Sequence, residues 1–352
     1  MNAGAIWWGQ IGNSLRLLTR VTNNLRDCRS AVLQVPQHFP WRQDFYESIA
    51  LRCSAFGGER RLLRLSWEQG ENPGRFVLQE LCAKSVWAEY WPGQSYADYL
   101  ASKTDILLND YDVWITGVHT KEELVQWEDF MAAYHRATRD RASHAVFIIE
   151  YDGPPVTVTH VDNLVYTVEN YDCRVFSLES ASDLGNTDLR NYQAELALSI
   201  CGGDPELCYA LLMTGDQLLQ DPVKATMDVL NNGHPSAGGW FDLMEDQQIL
   251  SAVWEAAIVL LFPVLERYRM GFIEKHKDVL ARYLPISNSN GEKVTDPCDL
   301  EIGALHHIVH NANKVFSPAD VETIKLCRNV RNLLAHNKPV SLGEAKKVLA
   351  LT

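Results

Sequence analysis

The sequence predicts an α/β first part followed by an all-helical second part, and three observations predict it. Short, nearly all-apolar runs alternate with amphipathic stretches over the first half, the pattern of a parallel sheet covered by helices on both faces. A chain of 352 residues exceeds the size of one ordinary domain. Residues 231–239 (NNGHPSAGG) hold three Gly, one Pro and no charge, and set off the helical remainder. The expected organisation is an α/β domain over 1–182, a helical segment and linker over 183–239, and a helical bundle over 240–352.

In chain order, the expected strands are 30–35 (SAVLQV), 61–67 (RLLRLSW), 113–118 (VWITGV), 145–151 (AVFIIEY) and 174–178 (RVFSL). Helical patterns fall between them at 11–25, 41–55, 75–84 and 121–137. Residues 183–230 are mainly helical, broken at Gly202-Gly203-Asp204-Pro205 and at Asp221-Pro222. Each break places a capping Asp before a Pro, a favourable way to begin a helix. A long helix follows over about 242–284, with a bend expected at Pro263. A polar loop at 287–295 leads to a helix from Pro297 to about Asn311, capped by Asp296. The last main helix is capped by Ser317, takes Pro318 in its first turn and stops near Asn337-Lys338-Pro339. A short helix over 342–351 closes the chain.

Apolar residues make up 46% and charged residues 22%, so a packed core is expected and wholesale disorder is not. The longest apolar run, 256–264 (AAIVLLFPV), is shorter than a bilayer span and holds Pro263, and the first residues carry no export signal, so no membrane partner is expected. Eight cysteines are scattered without a CxxC pair, which suits a reducing compartment and gives a cytoplasmic expectation. The net charge of −13 repels nucleic-acid phosphates from the surface as a whole. Residues 305–352, however, hold seven Lys/Arg against three acids, a local +4, with four of the eleven histidines. That is compatible with a local RNA-handling face, or with basic residues gathering near helix C-termini.

The chemistry concentrates in Arg331-Asn332-Leu333-Leu334-Ala335-His336. Leu326, Val330, Leu333 and Leu334 form an apolar stripe, with Arg331 and His336 flanking it about 140° apart on an ideal helix. They can converge because His336 lies where the helix ends and the arginine is long. A bundle whose final long helix carries R-N-x-x-x-H resembles the HEPN superfamily, and these six residues fit its pattern without a mismatch. The resemblance covers about 242–352. It implies a metal-independent ribonuclease or toxin effector of a bacterial antiviral-defence or toxin–antitoxin system. It further implies a homodimer through the bundle, with two motifs facing across a cleft, and RNA bound at the C-terminal domain. His336 would be the general acid/base, Arg331 the phosphate holder and Asn332 the residue that orients one of them. These side chains suit that task, because RNA carries its own 2′-hydroxyl nucleophile and needs a near-neutral proton carrier and a cation on the phosphate. No metal and no cofactor is expected. The α/β domain would regulate the bundle, with a regulatory protein as a further partner.

Two other readings stay open. Arg331 can pair with an acid on a neighbouring helix while His336 caps the helix end. Alternatively, the bundle is catalytically inactive and the chain is a non-enzymatic interaction or regulatory subunit of a larger bacterial defence complex.

Other constellations are weaker. The α/β pattern and the acidic strand end Phe147-Ile148-Ile149-Glu150-Tyr151-Asp152 look like a P-loop ATPase with a Walker B strand. No GxxxxGK[ST] occurs, however, and the first strand is followed by Pro36-Gln37-His38-Phe39-Pro40-Trp41, which lacks the N–H groups of a phosphate nest. Any such relationship implies a degenerate cradle. Gly9-Gln10-Ile11-Gly12-Asn13-Ser14 has no preceding strand. His306 and His310, with Glu301 as a third candidate, have zinc-ligand spacing but read better as core or interface residues. The tryptophans, eight of ten in the first half, read as core and rim packing.

Overall fold

The computed structural model describes residues 2–55, 60–182, 184, 189–234, 246–287, 291–312 and 314–351. Two compact units divide at Asp172/Cys173.

Unit 1 runs α1 (Ala3–Gln10), α2 (Gly12–Arg26), β1 (Ala31–Gln34), α3 (Arg42–Ser54), β2 (Arg61–Ser66), α4 (Pro73–Leu81), α5 (Lys84–Ala88), α6 (Tyr96–Ser102), β3 (Tyr111–Val118), α7 (Lys121–Ala137), β4 (Val146–Tyr151) and β5 (Asp162–Val165). The strands form one parallel sheet in the order β2-β3-β4-β1-β5. Its central strands are buried on both sides, as their apolar runs require. Val113, Ile115, Phe147 and Ile149 pack one face against α4, α6 and α7. The chain leaves β1 toward β2 at one edge and leaves β4 toward β5 at the other. The neighbours β1 and β4 therefore form a topological switch point, where open α/β sheets place their ligands.

One expectation for this unit is corrected. Residues 174–178, expected as a strand, lie in α8 (Asn170–Ala181), whose buried Cys173, Phe176, Ser177, Ser180 and Ala181 recur at helical spacing. The fifth strand is instead β5, which pairs Ala31 to Gln34 with Asp162 to Val165. It is short and half polar, so it carries almost no strand signal.

Unit 2 continues with α9 (Arg190–Cys201), α10 (Pro205–Met213), α11 (Asp216–Gln220), α12 (Pro222–Asn231), α13 (Asp246–Leu280), the hairpin β6 (Ile286–Ser287) and β7 (Lys293–Val294), α14 (Ile302–Asn311), α15 (Pro318–Ala335) and α16 (Leu342–Leu349). Asp204 and Asp221 cap α10 and α12, each ahead of its proline. The linker expected at 231–239 lies outside the described residues from 235 onward, as does the expected start of the long helix at 242–245.

Helices α9 to α12 pack into the same core as the later helices. Leu196, Ile200, Leu207 and Leu211 share one core with Ile249 and Val253 of α13, Val330 and Leu334 of α15, and Val348 of α16. A second cluster joins the far half of α13 to α14 and the start of α15 through Phe272, Leu280, Leu305, Val309 and Ile324. The bend in α13 falls at His276 (φ −117°, ψ 15°), where the ring packs against Phe272 and Phe316, and not at the solvent-facing Pro263. One helix, Asp246–Tyr283, is long and apolar enough to cross a membrane by length and composition. No single uninterrupted run conveys this, because the apolar residues are spread along the helix. Ile249, Val253, Ala256, Leu261 and Leu265 among them are buried in the core.

Candidate functional site

Helix α15 presents the motif. Ser317 caps its start by accepting from the Asp320 N–H, with Pro318 in the first turn. Its buried side consists of Ile324, Cys327, Val330 and Leu334, with Leu326 and Leu333 half-buried. Arg331 and His336 mark the two edges of that side. The arc between them spans about 140° at 100° per residue, and it carries Asn332.

Backbone geometry ends the helix where the motif ends. The His336 N–H is shared between the carbonyls of Asn332 and Leu333, both at 3.2 Å. Asn337 turns left-handed at φ 52°, and the Lys338 N–H returns to the Leu333 carbonyl at 2.9 Å. Trp254 on α13 donates its indole N–H to the Leu334 carbonyl at 2.8 Å. The last carbonyls are therefore satisfied by main chain and by an indole. The imidazole of His336 is exposed and has no partner among the described residues.

Arg331 is half-buried, and its nearest carboxylate is Glu301, the residue before α14, at 3.8 Å between Nη2 and Oε2. That separation is beyond hydrogen-bond range, and Glu301 is 81% exposed, so water screens the pair. Glu301 also lines a cavity of about 560 Å³ with Asp299, His307, Ala304, Ile286 and Val294. Along α14, the His306 and His310 rings lie parallel with centroids 5.9 Å apart. Burial pushes the His306 pKa down, and the cations of Arg328 and Lys325 push it further. Among the described residues, no three His, Cys, Asp or Glu side chains gather closely enough to hold a metal ion.

In unit 1 a cavity of about 360 Å³ opens over the ends of β1, β4 and β5, lined among others by Gln34, Gln37, Asp152, Val165 and Tyr166, and an aromatic cluster packs beside it. Phe39, in the segment after β1, packs edge-on against Trp8 at 5.2 Å and against Phe45 and Tyr166. Trp8 donates its indole N–H to the Trp41 carbonyl at 3.1 Å, and Trp41 itself sits in the left-handed region at φ 41°. An aromatic cluster that includes Trp8 of α1 thus anchors the segment after β1, where a phosphate nest would need free N–H groups.

Glu150 is equally committed. It accepts from the Tyr46 hydroxyl and from Trp114 Nε1 at 3.0 Å, and Arg42 lies 3.3 Å away. Burial, then the Glu150 carboxylate, pushes the Tyr46 phenol well above its ordinary range. Asp152 is held by His119 Nδ1 at 2.5 Å. Neither carboxylate of this strand end is left without a protein partner.

The resemblances drawn from the motifs have no counterpart in a broader match. No family model matches the chain, and no curated protein matches it. Among solved structures, the Orc1 protein of Aeropyrum pernix, determined in complex with DNA, is similar over 95% of this chain and 96% of that one. The identity is 11% and the TM-score 0.36, too distant a likeness to assign a site.

Sequence reasoning named Arg331, Asn332 and His336 from one contiguous motif, and the fold puts all three on one helix end. It missed the Trp8 and Phe39 contact, because it joins residues 31 positions apart. It counted Lys325 and Arg328 only as charge. The signal available for them was their i, i+3 spacing on the same helix as the motif.

Proposed function

We propose that the helical unit is a HEPN-type, metal-independent endoribonuclease, acting as a homodimer in a bacterial defence or toxin–antitoxin system. The observation that carries the proposal is the exposed, unpartnered His336 imidazole at the end of α15, on the same arc of the helix as the half-buried Asn332 and Arg331. His336 takes the proton of a 2′-hydroxyl, and the resulting oxygen attacks the adjacent phosphorus. The 5′-oxygen then leaves and is protonated by the imidazolium of a second copy's motif. Arg331 holds the non-bridging oxygens through its planar fork of donors, and Asn332 orients the guanidinium or the phosphate. The α/β unit then has a regulatory task, since its Glu150 and its post-β1 segment are committed to internal partners.

The test compares the full chain with Arg331→Ala and His336→Ala on RNA in excess EDTA. Cleavage by the wild type alone is the expected result. Equal RNA survival in all three refutes the proposal.

The internal commitments of Glu150 and of the segment after β1 favour one second reading, a non-enzymatic interaction subunit of a larger defence complex. Copurification separates the two: an obligate hetero-complex without nuclease activity supports that reading, and an active, stable homodimer rejects it.

A further inference from the structure

Helices α14 and α15 lie antiparallel, as their charged groups show. Glu301, at the start of α14, is closest to Arg331 late in α15. His306, in the middle of α14, feels Arg328 and Lys325 in the middle of α15. Going away from the motif, α15 therefore carries Arg331, Arg328 and Lys325 in turn, the last two near His306 of α14. Neither Lys325 nor Arg328 has a carboxylate within ion-pair distance among the described residues. Lys325 and His310 are exposed, while Arg328 and His306 are half-buried. From Lys325 to Arg331 the helix rises about 9 Å, room for roughly two nucleotides.

On a chain whose formal charge is −13, this is a local reversal of sign. It also combines two group types that act on different parts of one ligand. The cations suit phosphates, and the parallel imidazole faces at 5.9 Å suit stacked bases.

We propose that the α14–α15 face carrying His306, His310, Lys325 and Arg328 is a binding track for single-stranded RNA that leads its backbone to Arg331. The inference rests on the ribonuclease reading and adds the form of the substrate and the residues that hold it away from the scissile linkage. A duplex is excluded as the preferred ligand because its bases are already stacked on one another and present no free face to the rings.

The experiment uses the full chain bearing His336→Ala, so that bound RNA survives, with a fluorescein-labelled 12-nucleotide RNA and the same sequence as a duplex. Anisotropy titrations run from about 50 to 300 mM salt. Lys325→Gln with Arg328→Gln should weaken single-strand binding about tenfold and flatten the log–log salt dependence by about 1.4, since each lost phosphate contact on a single strand contributes about 0.7. His306→Ala with His310→Ala should weaken binding at least about fivefold with an unchanged salt slope, because stacking releases no counterions. Circular dichroism and Tm confirm that both double variants are folded.

An unchanged slope and affinity in Lys325→Gln/Arg328→Gln overturns the track, as does a preference for duplex. If Arg331→Ala still abolishes cleavage in that case, the nuclease reading survives. Conversely, tight single-strand binding with the expected slope change, from a wild type that cuts no RNA, supports the track and overturns the nuclease.

Discussion

Replacing Glu301 by Gln tests whether the motif arginine is available to a phosphate. The two charges are 3.8 Å apart, and their exposures are 42% and 81%. At that distance the Coulomb energy in water is about 1 kcal/mol, and exposed pairs measure about 0.2–1 kcal/mol. A phosphate competing for Arg331 therefore gains at most about fivefold in affinity when the carboxylate is neutralised. Glu301→Gln should raise kcat/KM for RNA cleavage by up to about fivefold at low ionic strength, and the gain should shrink as salt rises. Stability should change by less than about 0.5 kcal/mol, because the site is exposed and the swap is isosteric. In an Arg331→Ala background the same substitution should do nothing, which closes a double-mutant cycle. The assay is initial rates of cleavage of a quenched fluorescent RNA. A tenfold loss of activity would make Glu301 part of the catalytic machinery, and a gain that persists without Arg331 would show that it acts through something else.

Three further outcomes follow from unit 1. Arg60 donates from Nε to buried Asp112 at 2.8 Å and also to the carbonyls of Tyr111 and His144, so Arg60→Gln should cost about 3–5 kcal/mol in urea unfolding, and a loss under about 1 kcal/mol would contradict the buried-pair account. Burial raises the Asp112 carboxyl above its ordinary 3.8 despite Arg60, so the folded state holds that proton more tightly than the unfolded one. Its contribution is full below pH 3.8 and is lost as pH rises through the raised value; Asp112→Asn should flatten that part of the stability–pH curve, and an unchanged slope would refute the assignment. Finally, MgATP at about 1 mM should leave Tm unchanged, since ligand bound to the folded state would raise it by mass action; a saturable rise would refute this.

Where side chains announce burial by themselves, the fold was legible. Runs such as AVFIIEY and VWITGV are strands because a parallel sheet covered on both faces demands continuous apolar residues. The Asp204-Pro205, Asp221-Pro222 and Ser317-Pro318 starts appear as written, since a cap is a local hydrogen bond between neighbours in sequence. Pairing across the chain was not legible. Asp162-Asn163-Leu164-Val165 is a strand only because β1 offers it a partner, and RVFSL is helical because its neighbours Cys173, Ser180 and Ala181 complete a helical stripe. The bend at His276 rather than Pro263 has the same origin. Pro263 lies on the solvent side of α13, and the backbone dihedrals stay helical there. The histidine ring is held by packing against Phe272 and Phe316.

The two chemical motifs of the sequence diverge for a reason that neither contains. Glu150 ends a strand with the residue types of a nucleotide site, yet its oxygens are taken by Tyr46, Trp114 and Arg42, from 36 to 108 positions away in sequence. His336 ends a helix, and the groups that would otherwise claim it go elsewhere: Trp254 takes the Leu334 carbonyl, and the main chain closes the cap. A buried carboxylate with three partners cannot take a metal ion without breaking bonds worth about 1.5–3 kcal/mol each. An exposed imidazole with none can exchange protons with whatever arrives. On the proposed reading, chemistry belongs at the end of α15, and the α/β unit acts on it through conformation or through a partner.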